Sequence, residues 1–316
     1  MHEGAYALAV DGLAKTYIHG DQSVRALDGV SFRVRRGEVF GYLGPNGAGK
    51  TSTIRILTGL ARPSSGGATV LGLDVADDMP RIKKRIGVVP ETSNLYGELT
   101  ALDNLVFSME LYGVPRQERM ARAGELLDRF GLVDKRDAPF SRLSRGMKRS
   151  LTVAAALAHR PEIVFLDEPT TGLDVMASRG LRRTIAGLRD QGITVFLTTH
   201  YLEEAERLCD RVGLIVRGQI VALDTVEGLK ARVAKAAAVE VTLRRPTGGT
   251  ETWRRMAADV ASAVRDALTE VEADGGEVLA INTVRPTLQD AFVQLTGVSA
   301  SAMRADKPTS RGGGGK

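Results

Sequence analysis

Gly44-Pro45-Asn46-Gly47-Ala48-Gly49-Lys50-Thr51 is the stretch on which the fold of this chain turns. It follows the strand-like run VFGYL and precedes TSTIRILTGL, whose apolar residues have helical spacing. Strand, glycine loop and helix in that order form the setting in which a loop closes around a phosphate chain. Gly44, Gly47 and Gly49 allow the backbone to approach an anion without Cβ clashes, and a helix starting near Lys50 adds the positive end of its dipole. Residues Gly44 to Ser52, with Pro45, Asn46, Ala48 and Ser52 completing the set, are therefore the expected phosphate-binding segment. Lys50 is the expected point charge for the β and γ phosphates, and the Thr51 hydroxyl a magnesium ligand.

A second stretch, IVFLDEP at Ile163 to Pro169, is an apolar strand ending in two carboxylates. Asp167 is expected to hold magnesium through water, and Glu168 to polarise an attacking water as general base. Taken by itself LDEP can also read as an acidic turn; paired with the glycine loop it describes a nucleotide hydrolase.

Composition is compatible with that. At 316 residues the chain has room for one large α/β domain and a smaller second one. No stretch approaches the roughly 18 uninterrupted apolar residues of a membrane span, so LTVAAALA at Leu151 to Ala158 reads as buried core and the protein as soluble. The single cysteine, Cys209, cannot form an internal disulfide, and MHEGAYALAV lacks the basic and apolar regions of a signal peptide. The expectation is a cytoplasmic protein. The formal charge of +5 is carried partly by basic runs at Arg33/Arg35/Arg36, Arg81 to Arg85 and Arg142 to Arg149, read as solvated surface that would also suit an anionic membrane face. With no aromatic residues interleaved among them, nucleic acid is not an expected partner.

Patterning divides the chain. LAVDGLAKTY and VSFRVRRGEVFGYLG alternate as paired antiparallel strands do, and ATVLG and RIGVVPE read as further strands. ALDNLVFSMELYG and RQERMARAGELLDRFGL are amphipathic helices, and EIVFLD and ITVFLTT flank the helix ASRGLRRTIAGLRDQG as a βαβ unit. Beyond about Leu223 the pattern reads as a β-α-β-α module: AAVEVTLRRP a strand, TWRRMAADVASAVRDALTEVEADGG a helix, EVLAINTVRP a strand and TLQDAFVQLTG a short helix. The polar, glycine-rich residues 299–316 read as a disordered tail.

A third motif narrows the reading. LSRGM at Leu143 to Met147 opens a helix about twenty residues before the acidic strand, and with the two motifs above and His200 it makes the chain resemble the ATP-binding-cassette (ABC) ATPases. The resemblance covers residues 8 to about 223. It implies an α/β fold with a P-loop NTPase core of ABC type, an antiparallel β subdomain and a helical subdomain near residues 95–160, within a nucleotide-binding domain at 1–224. A small C-terminal α+β domain at 225–298 follows.

The resemblance also assigns roles, with ATP and Mg2+ as the implied cofactors. Ser144, Arg145, Gly146 and Met147 stand where the family usually has Ser-Gly-Gly-Gln facing the ATP of the partner subunit; Arg145 brings a cation and Met147 removes an amide donor. Tyr17 matches the aromatic that stacks on adenine, His200 the histidine that reaches the γ-phosphate, and Asp174 the loop crossing the dimer interface, where it also reads as a helix N-cap. Glu91 replaces a glutamine that touches magnesium; a carboxylate can bind the metal but cannot donate, and a solvated loop glutamate is the competing reading.

VVPE, LSRGMKR, TTGLDV and PTLQDAFVQLTG look like the ATPase subunits of type-2 bacterial and archaeal exporters, of drug-resistance, sodium-extrusion and polysaccharide or lipid export type. That implies a homodimer on the inner face of the cell membrane, beneath separately encoded membrane permease subunits. An importer ATPase, a soluble ABC regulatory ATPase and a non-hydrolysing scaffold are the alternatives, the last disfavoured by Glu168.

Overall fold

The computed structural model describes residues 5–233, 237–245, 248–257, 259–284, 286–299 and 303. They form two compact units, one running up to Leu223 and the other from Asp224 to Ala300.

The first unit begins with β1 (Tyr6–His19) and β2 (Gln22–Arg35), paired antiparallel with Tyr17 opposite Val24. On β2 the residues Leu27, Val30, Phe32 and Val34 are buried while their neighbours face out, the alternation of a strand with one wet face. β3 (Val39–Leu43) is different, because all five of its residues are buried. The sequence pattern ran β2 and β3 together as one antiparallel element. The structure separates them at Arg36–Glu38 and sends β3 into a second sheet, where a continuous apolar strand covered on both faces belongs.

After β3 come α1 (Lys50–Leu57), β4 (Ser65–Val70) and β5 (Leu73–Asp74), the two strands completing a four-stranded sheet of order β2-β1-β4-β5. The chain continues through α2 (Met79–Lys83), β6 (Ile86–Val89), α3 (Ala101–Leu111), α4 (Arg116–Arg129) and α5 (Arg145–Ala156). Next are β7 (Ile163–Asp167), α6 (Val175–Arg189), β8 (Thr194–Thr199), α7 (Leu202–Leu208), β9 (Arg211–Val216) and β10 (Gln219–Thr225). Helices α3, α4 and α5 pack on one another.

The second sheet has the order β10-β9-β3-β8-β7-β6, with parallel pairing from β9 through to β6. Its parallel register aligns Leu43 with Thr199, and Asp167 with Thr198. The carboxyl ends of β3, β8 and β7 therefore lie side by side on one edge, where ligands bind in open α/β sheets. An aromatic cluster joins the two sheets: Phe32 of β2 lies 5.7 Å from Phe40 and 5.9 Å from Phe196, ring centre to ring centre. Among the described residues no helix is long and apolar enough to cross a membrane.

The second unit contains α8 (Val226–Val233), β11 (Ala237–Arg244), β12 (Thr250–Ala257), α9 (Val260–Ala273), β13 (Glu277–Val284) and α10 (Leu288–Thr296). Its three strands form an antiparallel sheet of order β12-β11-β13, and α8 packs on α10. The sequence pattern missed a strand here. TWRRMA, expected to start a helix, is β12, with Trp253 opposite Val241. The helix starts only after Asp259, whose carboxylate accepts from the amides of Ala261 and Ser262. The tail expected at 299–316 lies outside the described residues except for Ser299 and Met303.

Candidate nucleotide site

The loop between β3 and α1 owes its shape to its glycines. Gly49, the residue before α1, has φ of 108°, and Gly47 has φ of 80°, backbone that side chains rarely adopt. A Cβ on Gly44 would come within 2.1 Å of the Ile215 carbonyl oxygen, and one on Gly49 within 2.5 Å of the Ala26 carbonyl oxygen. The loop borders a cleft of about 390 Å³ lined by Tyr17, the segment Pro45 to Ser52, Glu91 and Glu168. Tyr17 and Glu91 thus meet the phosphate loop around one space, although Tyr17 comes from β1 and Glu91 from the loop after β6. Lys15 lies over the Tyr17 ring at 5.0 Å from its centre.

Lys50 is buried at the start of α1. Its Nζ donates to the Gly44 carbonyl at 2.6 Å and the Pro45 carbonyl at 3.3 Å, and pairs with Glu168 Oε1 at 3.2 Å. The other carboxylate oxygen of Glu168 lies 2.9 Å from His200 Nδ1 and accepts from the Thr171 hydroxyl at 3.3 Å. Burial pushes the Glu168 carboxyl up, but the His200 hydrogen bond and the Lys50 charge outweigh it, so the group sits below its ordinary value and is ionised near neutral pH. Glu168 also has φ of 48°, the left-handed region, so its backbone is strained where its side chain is held. Its amide donates to Thr198 Oγ1 at 3.1 Å.

Asp167 ends β7 beside this residue. Its Oδ1 accepts from Thr198 Oγ1 at 2.6 Å and from Thr51 Oγ1 at 3.4 Å. Burial raises its carboxyl above the ordinary value and the negative Glu168 and Glu91 add to the effect, against the two hydroxyl hydrogen bonds. At Asp167 burial thus outweighs the two hydroxyl hydrogen bonds.

Ser144 caps α5, its Oγ accepting from the Met147 amide at 3.3 Å, and Asp174 caps α6 in the same way through Ala177 at 2.8 Å. The Arg145 guanidinium lies against Gly172: a Cβ there would be 2.0 Å from Nη2. Residues Ser144 to Met147 and Asp174 are absent from the lining of the cleft that holds Lys50 and Glu168.

Three contributors escaped the sequence reading. Arg149, placed there in a solvated basic run, is buried at 8% exposure, and its guanidinium hydrogen-bonds main-chain carbonyls at the ends of β6 and β7. The reason is position: four residues after the helix start it falls on an inward face of α5, with Thr152 and Val153. Glu204, 3% exposed, accepts from Thr170 at 2.8 Å and Thr199 at 3.2 Å, tying the segment after Glu168 to the one before His200. Asn104 accepts from the Tyr96 amide and donates to the Tyr96, Leu99 and Thr100 carbonyls, clamping the loop before α3. Other arginines of the basic runs are on the surface but paired, Arg33 with Asp11 and Arg36 and Arg85 with Glu162.

This geometry agrees with what comparison finds. The ABC transporter family profile matches residues 27–171. The linearmycin resistance ATP-binding protein LnrL of Bacillus subtilis (strain 168) is 34% identical over 92% of this chain and 98% of its own length. The chain belongs to the ABC transporter family. It carries the cassette that binds and hydrolyses ATP. The daunorubicin/doxorubicin resistance ATP-binding protein DrrA of Streptomyces peucetius is 36% identical over 92% of both chains. A solved ATP-binding cassette, in a dimeric post-hydrolysis state bound to ADP and Pi, matches 69% of this chain and 98% of its own with 26% identity and a TM-score of 0.65.

Proposed function

We propose that this ABC ATPase works as a head-to-tail homodimer with two ATP between its subunits, powering export through separately encoded membrane subunits. One observation carries the dimer: the cleft bounded by the phosphate loop and Glu168 contains none of Ser144 to Met147, so a second copy is needed to bring a capped helix start to the nucleotide. Val175 and Met176, beside Asp174, are 79% and 73% exposed apolar residues suited to such an interface. The resistance names of LnrL and DrrA and the dimeric cassette support the reading.

In the ATP-bound state Lys50 leaves Glu168 for the β and γ phosphates, and Tyr17 stacks on the adenine. Glu168, ionised, takes a proton from the attacking water as its oxygen bonds to the γ-phosphorus. The bond from that phosphorus to the β–γ bridging oxygen breaks, giving ADP and phosphate. His200 orients Glu168 and reaches the γ-phosphate from the end of β8. The hydroxyl of Thr51 in the first turn of α1 and the carboxylate of Asp167 at the end of buried β7 fit Mg2+, being hard oxygens 3.4 Å apart; Glu91 adds a third on the cleft wall. Among the described residues no group of three His, Cys, Asp or Glu could hold a metal, as befits an ion that takes further ligands from phosphates. Magnesium would neutralise phosphate charge as the bond breaks.

Mixing two inactive variants tests the arrangement. Lys50→Ala removes the phosphate charge and Ser144→Arg blocks the opposite face, so neither homodimer turns over ATP. A heterodimer of the two restores one composite site and recovers ATPase activity. A proven heterodimer with no activity would overturn the head-to-tail reading.

A further inference from the structure

Arg149 donates from Nε to the Pro169 carbonyl at 2.8 Å and from Nη2 to the Asp167 carbonyl at 2.9 Å. Those two carbonyls flank Glu168, the residue in strained left-handed backbone. From Nη1 the same guanidinium reaches the Pro90 carbonyl and, at 3.3 Å, that of Glu91. One cation on α5 therefore grips the turn after β7 and the loop after β6 together. Burial pushes its acidity to about 10, with Asp167, Glu91, Glu168 and Glu204 pulling the other way, so it stays charged at neutral pH.

An apolar side chain would fill this space at lower desolvation cost, and a buried cation is weak evidence of a purely stabilising role. What a guanidinium adds is a planar fork of five donors, able to fix several carbonyls at once. Building on the hydrolytic reading above, we infer that Arg149 is a positioning residue for ATP hydrolysis. It locks the main chain on both sides of Glu168 and joins it to the Glu91 loop and to the helix capped by Ser144. In the proposed cycle Lys50 leaves Glu168 for the phosphates, and the backbone clamp then holds the carboxylate in line with the water. The other anchor, Thr198, holds the Glu168 amide. Arg149 acts on the carbonyls before and after it.

The experiment uses full-length Arg149→Lys and Arg149→Met beside wild type and Glu168→Gln. Steady-state ATPase is measured against MgATP and expressed per nucleotide-binding site, the sites being counted by titration with a fluorescent ATP analogue. Lysine keeps the charge but gathers its donors on one atom, so Arg149→Lys should lower kcat per site about tenfold or more, with KM within about threefold. Arg149→Met should fall further. Amide exchange at Glu168, Thr170 and Thr171 should quicken in both. If methionine prevents folding, the lysine variant carries the test, because counting sites removes unfolded protein from the rate. Wild-type kcat per site in Arg149→Lys, or a loss confined to the number of sites, would overturn the inference. Glu168→Gln separates the two ideas: normal turnover there refutes the hydrolytic reading, whereas lost turnover beside an unaffected Arg149→Lys refutes the clamp alone.

Discussion

Glu168→Gln keeps the shape of the side chain and removes its charge, which serves both Lys50 at 3.2 Å and His200 at 2.9 Å. Breaking a fully buried pair costs about 3 to 5 kcal/mol. Here Lys50 keeps the Gly44 and Pro45 carbonyls, and the glutamine oxygen can still accept from His200, so the expected loss is about 1 to 3 kcal/mol. For a unit of this size that is a fall in Tm of roughly 2 to 12 °C without nucleotide. Saturating MgATP should close much of the gap, because phosphates replace the carboxylate as the partner of Lys50. The sign with pH follows from linkage. The folded-state carboxyl lies below its ordinary value of 4.5, so its contribution is complete above that value and is lost as pH falls through the folded value. Wild type and variant should therefore differ at pH 6 to 8 and converge in acid. Turnover should drop about 10² to 10⁴-fold, the usual contribution of a general base, while ATP still binds. Differential scanning fluorimetry across pH, with and without MgATP, and an ATPase assay read both quantities. Near wild-type turnover, or a Tm gap that does not narrow in acid, would refute the reasoning.

Asp167→Asn should act in the opposite direction on stability. Its folded-state carboxyl lies above the ordinary 3.8, so folding is weakened as pH rises from there through the folded value; the amide keeps an acceptor for Thr198 and Thr51, and Tm without nucleotide should rise at pH 7 while ATPase falls at least about 10²-fold. A fall in Tm measured by the same fluorimetry would count against the buried-anion account. Tyr96 is 53% exposed, packs edge-on against Phe107 at 5.2 Å, and sits in the loop clamped by Asn104. Tyr96→Ala should leave basal ATPase of the isolated subunit within about twofold and reduce transport when membrane subunits are present, since exposed substitutions cost about 0.5 kcal/mol or less. An equal loss of basal activity would place Tyr96 in the folding of the loop instead.

Much of the fold and the site could be read locally. The glycine loop, the apolar strand ending in Asp167-Glu168, and the capping residues Ser144 and Asp174 each carry their meaning within a few neighbours, because φ restrictions, strand burial and helix caps are short-range effects. Two elements misled for the same local reason. Alternation could not separate β2 from β3, whose difference is burial on both faces. Nor could it show that TWRRMA pairs with β11, since the aromatic and basic residues suit a helix end as well as an edge strand.

By itself the sequence determined which groups are available: a glycine loop ending in Lys50 and Thr51, the adjacent carboxylates of Asp167 and Glu168, and a helix start capped by Ser144. The tertiary structure alone decided which groups meet. Parallel pairing of β3, β8 and β7 brings Lys50, His200 and Glu168 into one buried cluster from positions far apart in the chain. Burial raises both carboxyls, and the His200 hydrogen bond and Lys50 charge bring Glu168 alone below its ordinary value, although the two are chain neighbours. The fold also turns Arg149 from a surface charge in a basic run into a buried clamp, because burial and long-range hydrogen bonding depend on which strands lie beneath a helix.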